Sequence, residues 1–219
     1  MATGEDVFDA IKTGNAGRLK ALLGEDRSLA SSRDEVGVSA LLHATYRCHQ
    51  DMVVLLLACR PHLDIFEAAA LGRGQVVEAR LDEDPASAAA FSADGFTALH
   101  LAAFFAHPDV VSLLLEHGAD PRAVAKNLSM VTPLHSAAAG RNIEAARLLL
   151  REAVDVNARQ QGGWTALHAA ALHGDADLAR LLLARGASAQ AVSDDGKTAI
   201  ELALDKGHTE IVDLLRFGR

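Results

Sequence analysis

The chain has 219 residues, 50% of them hydrophobic, 23% charged and only 4% aromatic, with a formal net charge of −8. This is a globular rather than a disordered composition, and its acidic balance lacks the basic footprint of a nucleic-acid binder. No apolar run is long enough to span a bilayer and no signal peptide opens the chain, so a cytoplasmic, reducing setting is expected. Two cysteines, Cys48 and Cys59, are too few for a disulfide framework or a zinc site.

In chain order, the first half repeats on a long unit. "VFDAIKTGNAGRLKALLGED" from Val7 aligns without gaps to "IFEAAALGRGQVVEARLDED" from Ile65, and "GVSALLHATYRCHQDMVVLLL" from Gly37 to "GFTALHLAAFFAHPDVVSLLL" from Gly95, both at an offset of 58 residues. The second half repeats on a shorter unit. Thr97, Thr132, Thr165 and Thr198 each open a similar segment, at spacings of 35, 33 and 33 residues. The two extra residues fall within "PRAVAKNLSMV", a loop insertion. Seven repeats are expected, at residues 6–35, 36–63, 64–93, 94–128, 129–161, 162–194 and 195–217, forming a single domain over 1–219.

Each repeat carries helical punctuation. Leu99, Ala102 and Ala103 share one helix face, the alanines allow close approach, and Leu113, Leu114 and Leu115 form the seam of a second helix. Thr97 is placed as an N-cap. Gly118 and Gly186 follow leucine runs, where a helix end takes a left-handed residue. Asp94-Gly95, Gly162-Gly163 and Asp195-Gly196 mark turns between repeats. A single repeat cannot bury its own apolar face, so stacked neighbours must supply the core.

Departures from the pattern point to a weak joint. The first and third repeats lack the threonine opening, and only 24 residues separate Leu41 from Ile65, which leaves a short linker containing Pro61. Arg80 stands where Leu22 and Leu182 stand elsewhere, and Arg141 where Gly174 and Gly207 stand. The third repeat is therefore expected to be less regular and less tightly held. The last repeat is polar on its outer side, at Asp205, Lys206, Thr209, Glu210 and Asp213, as a terminal cap should be.

Thr132-Pro133-Leu134-His135, Gly118-Ala119-Asp120 and Asp155-Val156-Asn157-Ala158, recurring in phase, resemble the ankyrin repeat family. The resemblance implies an all-α solenoid of about seven helix-turn-helix repeats, with antiparallel helix pairs joined by hairpin-like loops. It implies that His100, His135 and His168 hydrogen-bond to neighbouring loop backbone and hold register. Asn157 sits in a motif that is hydroxylated in some ankyrin proteins. His43, His49, His107, His117, His173 and His208 have no such place, and a solvated surface role is expected for them.

Catalytic patterns are absent. No pair of histidines brackets a glutamate at zinc-protease spacing, no G-x-S-x-G elbow occurs, and Leu71-Gly72-Arg73-Gly74 lacks the third glycine of a nucleotide loop. Asp82, Glu83 and Asp84 read as a solvated helix end, and the cysteines as buried or half-buried structural thiols. No enzyme activity, cofactor or metal is expected.

In ankyrin proteins, partner contacts commonly come from the hairpin tips and the concave helix face. The position before each opening threonine, or its counterpart, holds Val38, Phe96, Val131, Trp164 and Lys197. The two positions after the alanines hold Tyr46 and Arg47, Phe104 and Phe105, Ala139 and Gly140, Leu172 and His173, Asp205 and Lys206. Five of the nine aromatics fall in these slots. Tyr46, Arg47, Phe96, Phe104, Phe105, Arg141, Trp164, Leu172 and His173 are thus the candidate partner-binding residues, with local packing of the rings as the competing account. The expected function is that of a non-enzymatic, monomeric adaptor or scaffold for a protein partner, with no role for nucleic acid; the alternative is an inhibitor that covers one enzyme's active site. Replacing Phe96 and Trp164 by aspartate is expected to leave the fold intact.

Overall fold

The structure, a computed structural model, describes residues 2–217. Among these, fourteen helices form seven consecutive pairs: α1 Gly4–Lys12 with α2 Ala16–Glu25, α3 Ala40–Tyr46 with α4 Gln50–Ala58, α5 Ile65–Ala70 with α6 Gly74–Glu83, α7 Ala98–Phe104 with α8 Pro108–Glu116, α9 Pro133–Ala139 with α10 Ile143–Leu149, α11 Ala166–His173 with α12 Ala176–Ala184, and α13 Ala199–Lys206 with α14 Thr209–Phe217. The described residues contain no β-strand, only isolated antiparallel bridges between Arg33 and Ser39 and between Val192 and Thr198. These bridges close two of the loops as hairpins.

The pairing follows from side-chain size. The first helix of each pair meets the next first helix through fully buried alanines, among them Ala68, Ala69, Ala102, Ala103, Ala137, Ala138, Ala170 and Ala171. The second helices meet through Leu81, Leu114, Leu149 and Leu182. From α5 to α13 the first helices meet more extensively than the second ones, whereas α1 meets α3 and α2 meets α4 to a similar extent. Small residues on one side and leucines on the other favour bending toward the first helices, the side called inner.

One backbone device recurs at every turn within a pair. Gly14, Cys48, Gly72, Ala106, Arg141, Gly174 and Gly207 all have positive φ, from 55° to 75°. Four are glycine, which takes this conformation freely. Cys48, Ala106 and Arg141 hold it with a Cβ, the strained case. Cys48 is exposed there rather than packed as a structural thiol, while Cys59 is half-buried.

The next residue along caps the second helix, and here the expectation for two histidines is corrected. His107 and His208 are not solvated. His107 Nε2 lies 3.1 Å from the Ala70 carbonyl and His208 Nε2 3.2 Å from that of Leu172, each reaching the preceding first helix. Asn142 does the same with its amide to Ala103, at 3.2 Å. His43 also leaves the solvated class, pairing with Asp34 at 2.7 Å, and His117 turns back to the Leu113 carbonyl at 2.9 Å. His173 is exposed, as expected.

The core is divided. One cluster runs from Val7 to Leu56 and a larger one from Ile65 to Leu214. A small third cluster of Val38, Leu42, Ala70 and Leu101, flanked by Phe66, Phe96 and Phe105, spans the gap. The division coincides with the short linker after α4. No hairpin precedes α5; instead, polar groups hold the helix. Arg33 bonds Asp64 at 2.9 Å and lies 3.7 Å from the buried Glu67. Asp64 and Glu67 form a capping box. Arg80 gives its Nε proton to the Leu63 carbonyl at 3.1 Å and also meets Glu83 and His62. Where a leucine would fill the core, Arg80 instead fastens the linker. At the far end, Asp205, Lys206, Thr209, Glu210 and Asp213 are all exposed, a polar outer face.

Candidate functional site

The hairpins are fixed before any side chain is presented. Thr97, Thr132 and Thr165 each cap a first helix, and their backbone N–H groups donate to Nδ1 of His100, His135 and His168 at 3.2, 3.1 and 3.1 Å. With Nδ1 accepting, the remaining proton sits on Nε2. It is donated to the next hairpin: to Val131 at 3.0 Å, Ala158 at 3.0 Å and Lys197 at 3.2 Å. Burial pushes His100 down to about 4 and lowers His135 and His168 as well, so all three remain neutral. The same position holds Leu42 in α3, Glu67 in α5 and Glu201 in α13. The two glutamates still cap their own helices but have no proton to pass on.

Backbone bonds join the hairpins edge to edge. Lys126 N–H reaches Gly95 O at 2.8 Å, Gln161 reaches Ser129 at 3.0 Å, and Asp194 reaches Gly162 at 2.8 Å. Gly95 is required here, because a Cβ would lie 2.7 Å from the Lys126 backbone. Asn157 acts in the same way, donating to Gly186 at 3.1 Å and accepting from Ser188 at 2.7 Å.

On the inner side lies a pocket of about 370 Å³, lined by Tyr46, Asp94, Phe96, His100, Leu101, Phe104 and Ser136. It originates in the irregular third pair. Two residues before each left-handed turn residue, the same helix slot holds Tyr46, Ala70 and Phe104. The small Ala70 between two rings, and the missing hairpin before α5, let Tyr46 reach past the third pair. Its hydroxyl donates to Asp94 Oδ2 at 2.6 Å, across 48 residues of sequence. Its ring stacks on Phe105 with centroids 5.9 Å apart, and Phe105 meets Phe104 edge-on at 5.0 Å. Burial, then the neighbouring Asp94 and Asp64 carboxylates, raises the Tyr46 pKa, so the phenol stays a donor although 36% of the residue is exposed.

A family model described as ankyrin repeats (3 copies) matches residues 7–125, 65–160 and 134–218. The chain belongs to the ankyrin repeat family. It is 37% identical over 103 residues to ankyrin repeat and SAM domain-containing protein 6 of Mus musculus, a match covering 47% of this chain and 12% of that protein. The counterpart from Rattus norvegicus is 36% identical over 103 residues with the same coverage. The chain thus matches only 12% of the length of these curated relatives. Ankyrin repeats are protein–protein interaction modules and generally not enzymes, and among the described residues no helix is long and apolar enough to cross a membrane. No group of three or more His, Cys, Asp or Glu among the described residues is placed to hold a metal.

Within this ankyrin frame the nine candidate residues fall into two groups. Tyr46, Phe96, Phe104 and Phe105 come together around the pocket. Arg47, Arg141 and His173 are exposed at the C-terminal ends of α3, α9 and α11, Leu172 is half-buried, and Trp164 lies beside His168 with centroids 5.9 Å apart, packed on the main core. Phe96 and Trp164 occupy hairpin stems rather than tips: the Phe96 and Trp164 carbonyls accept from Ser92 at 2.7 Å and Gln160 at 2.9 Å. Both rings are half-buried against core clusters, which gives the competing account of local packing an observed basis. Sequence reasoning did not bring Asp94, Leu101 and Ser136 into the site, although they line the pocket, and it located the inserted loop without singling out its apolar side chains, where Leu128 is 85% exposed beside half-exposed Val124 and Met130. The two-residue excess in repeat spacing was the one signal of that loop.

Proposed function

We propose that this chain is a non-enzymatic adaptor that binds a protein partner through its first-helix face, in the cytoplasm and as a monomer, without nucleic acid. The observation that carries the reading is the apolar pocket at Tyr46, Phe96 and Phe104, in slots the repeat frame does not need. Phe104 is 42% exposed, a large ring left in water. Aromatic anchors beside a concave recess are the usual energetic centre of an interface. The two free cysteines suit a reducing compartment.

The test is affinity capture from lysate with the full chain, in three forms. Phe104→Asp should abolish capture while far-ultraviolet circular dichroism and melting stay unchanged. Val54→Asp, on the exposed side of α4, should capture as wild type does. Capture that survives Phe104→Asp and is lost with Val54→Asp would place the interface on the second helices and overturn the reading. An activity assay on the captured protein distinguishes an adaptor from an inhibitor that covers an active site.

A further inference from the structure

Asp94 is the one carboxylate in the pocket wall. Its Oδ2 accepts from the Tyr46 hydroxyl at 2.6 Å and its Oδ1 from the Ser92 hydroxyl at 2.5 Å. Both donors are neutral, and each oxygen keeps a free lone pair. None of the ion pairs among the described residues includes Asp94. The cations of its neighbourhood are engaged elsewhere: Lys126 Nζ sits 4.0 Å from the centre of the Phe91 ring, and Arg33, which shares a small neighbouring recess with Asp94, is held by Asp64 at 2.9 Å and Glu67 at 3.7 Å. Arg47, in the turn after α3, and Arg141, in the turn after α9, are exposed, and neither forms an ion pair with it.

The other walls do not supply a charge. His100 has both nitrogens committed, to Thr97 and Val131. Phe96, Leu101 and Phe104 are apolar, and Ser136 is neutral. The recess therefore combines an uncompensated carboxylate, aromatic rings and an apolar wall, on a chain with a net charge of −8. A carboxylate gains most from a cationic donor. Aromatic faces also attract cations, and an apolar wall accommodates the methylene stem that lysine and arginine carry below their charge.

We propose that the pocket receives a lysine or arginine side chain of the partner, its stem against Leu101 and Phe104 and its cation on Asp94. The partner segment is accordingly basic, and the chain's negative charge assists its approach. This rests on the reading of the first-helix face as the binding surface.

The experiment titrates blocked pentapeptides, acetyl-Gly-Ala-X-Ala-Gly-amide with X as arginine, lysine or norleucine, into the isotope-labelled full chain. Amide chemical shifts of Asp94, Leu101 and Phe104 are followed by nuclear magnetic resonance. The arginine and lysine peptides should shift these amides saturably, and norleucine, which keeps the stem but not the charge, should bind about tenfold more weakly. Asp94→Asn should remove that preference. Tyr46→Phe, which frees one carboxylate acceptor without removing the ring, should sharpen it. Norleucine binding as well as or better than the cations, or a preference unchanged in Asp94→Asn, overturns the proposal but leaves an apolar anchor site, so the surface reading survives. No shift at these amides with any peptide overturns the proposal too, while the Phe104→Asp capture result reports on the surface independently. If Asp94→Asn unfolds, the comparison of the three peptides on wild type and Tyr46→Phe still decides.

Discussion

From α7 to α13, each helix pair is tied to the next by a buried neutral histidine that caps its own helix and donates to the following hairpin. Between α3 and α5 the tie is Arg33, an exposed arginine on Asp64 and Glu67, under a small bridging cluster. The first arrangement is short, desolvated and repeated. The second is polar, partly wet and used once. The same fold can thus be held by two kinds of joint, and the polar kind leaves room for a pocket.

The largest effect should come from cutting the histidine ties. His135→Ala removes the acceptor for Thr132 and leaves the Ala158 carbonyl unpaired, a loss of about 3 kcal/mol, read as a lower denaturant midpoint. An unchanged midpoint would mean the ladder contributes nothing. Acid should act on the same set without mutation. Because the folded His100 pKa lies near 4, below its ordinary 6.5, the unfolded chain takes up more protons between those values. Stability from this ladder is complete above pH 6.5 and is lost as the pH falls towards 4. Hydrogen exchange at pH 5 should quicken in α9–α12 relative to pH 7.5, after correction for intrinsic rates. Equal protection would contradict the assignment of neutral histidines.

A smaller effect is expected at the other joint. Arg33→Ala should cost about 1 kcal/mol but should change cooperativity more than midpoint, with amides of α1–α4 exchanging ahead of α7–α12. The smallest effect is a gain. Ala106→Gly relieves a left-handed residue with a Cβ and should stabilise by less than about 1 kcal/mol, strain relief exceeding the added chain entropy. A loss at this position would mean that the turn is not strained.

Much of this was legible in the sequence, for a physical reason. Helix periodicity, the threonine caps and the histidines at 100, 135 and 168 are local signals that recur in phase, so each repeat reports on the others. The expected weak joint at the third repeat coincides with the division of the core because a missing hairpin and a misplaced arginine are also local. The pocket was only half visible. Its rings stood out as variable residues, but the bond from Tyr46 to Asp94 skips a whole helix pair and has no periodic signature. His107 and His208 were misread for a related reason: their targets, the Ala70 and Leu172 carbonyls, lie 37 and 36 residues away on backbone that sequence does not distinguish. Phe96 and Trp164 were placed at tips, whereas hairpin geometry turns those positions inward.

The Tyr46–Asp94 contact has a mechanical meaning. If the molecule is pulled from its two ends, load passes through the joint between α3 and α5, where the continuous apolar core is interrupted. Beside the Arg33 ties and the small third cluster, one hydrogen bond and one ring stack span that interruption from the second helix pair to the fourth. The pairs α1–α2 and α3–α4 should therefore detach as a unit at lower force than the rest. A ligand seated against Asp94 would raise that rupture force, making occupancy of the pocket readable as tension.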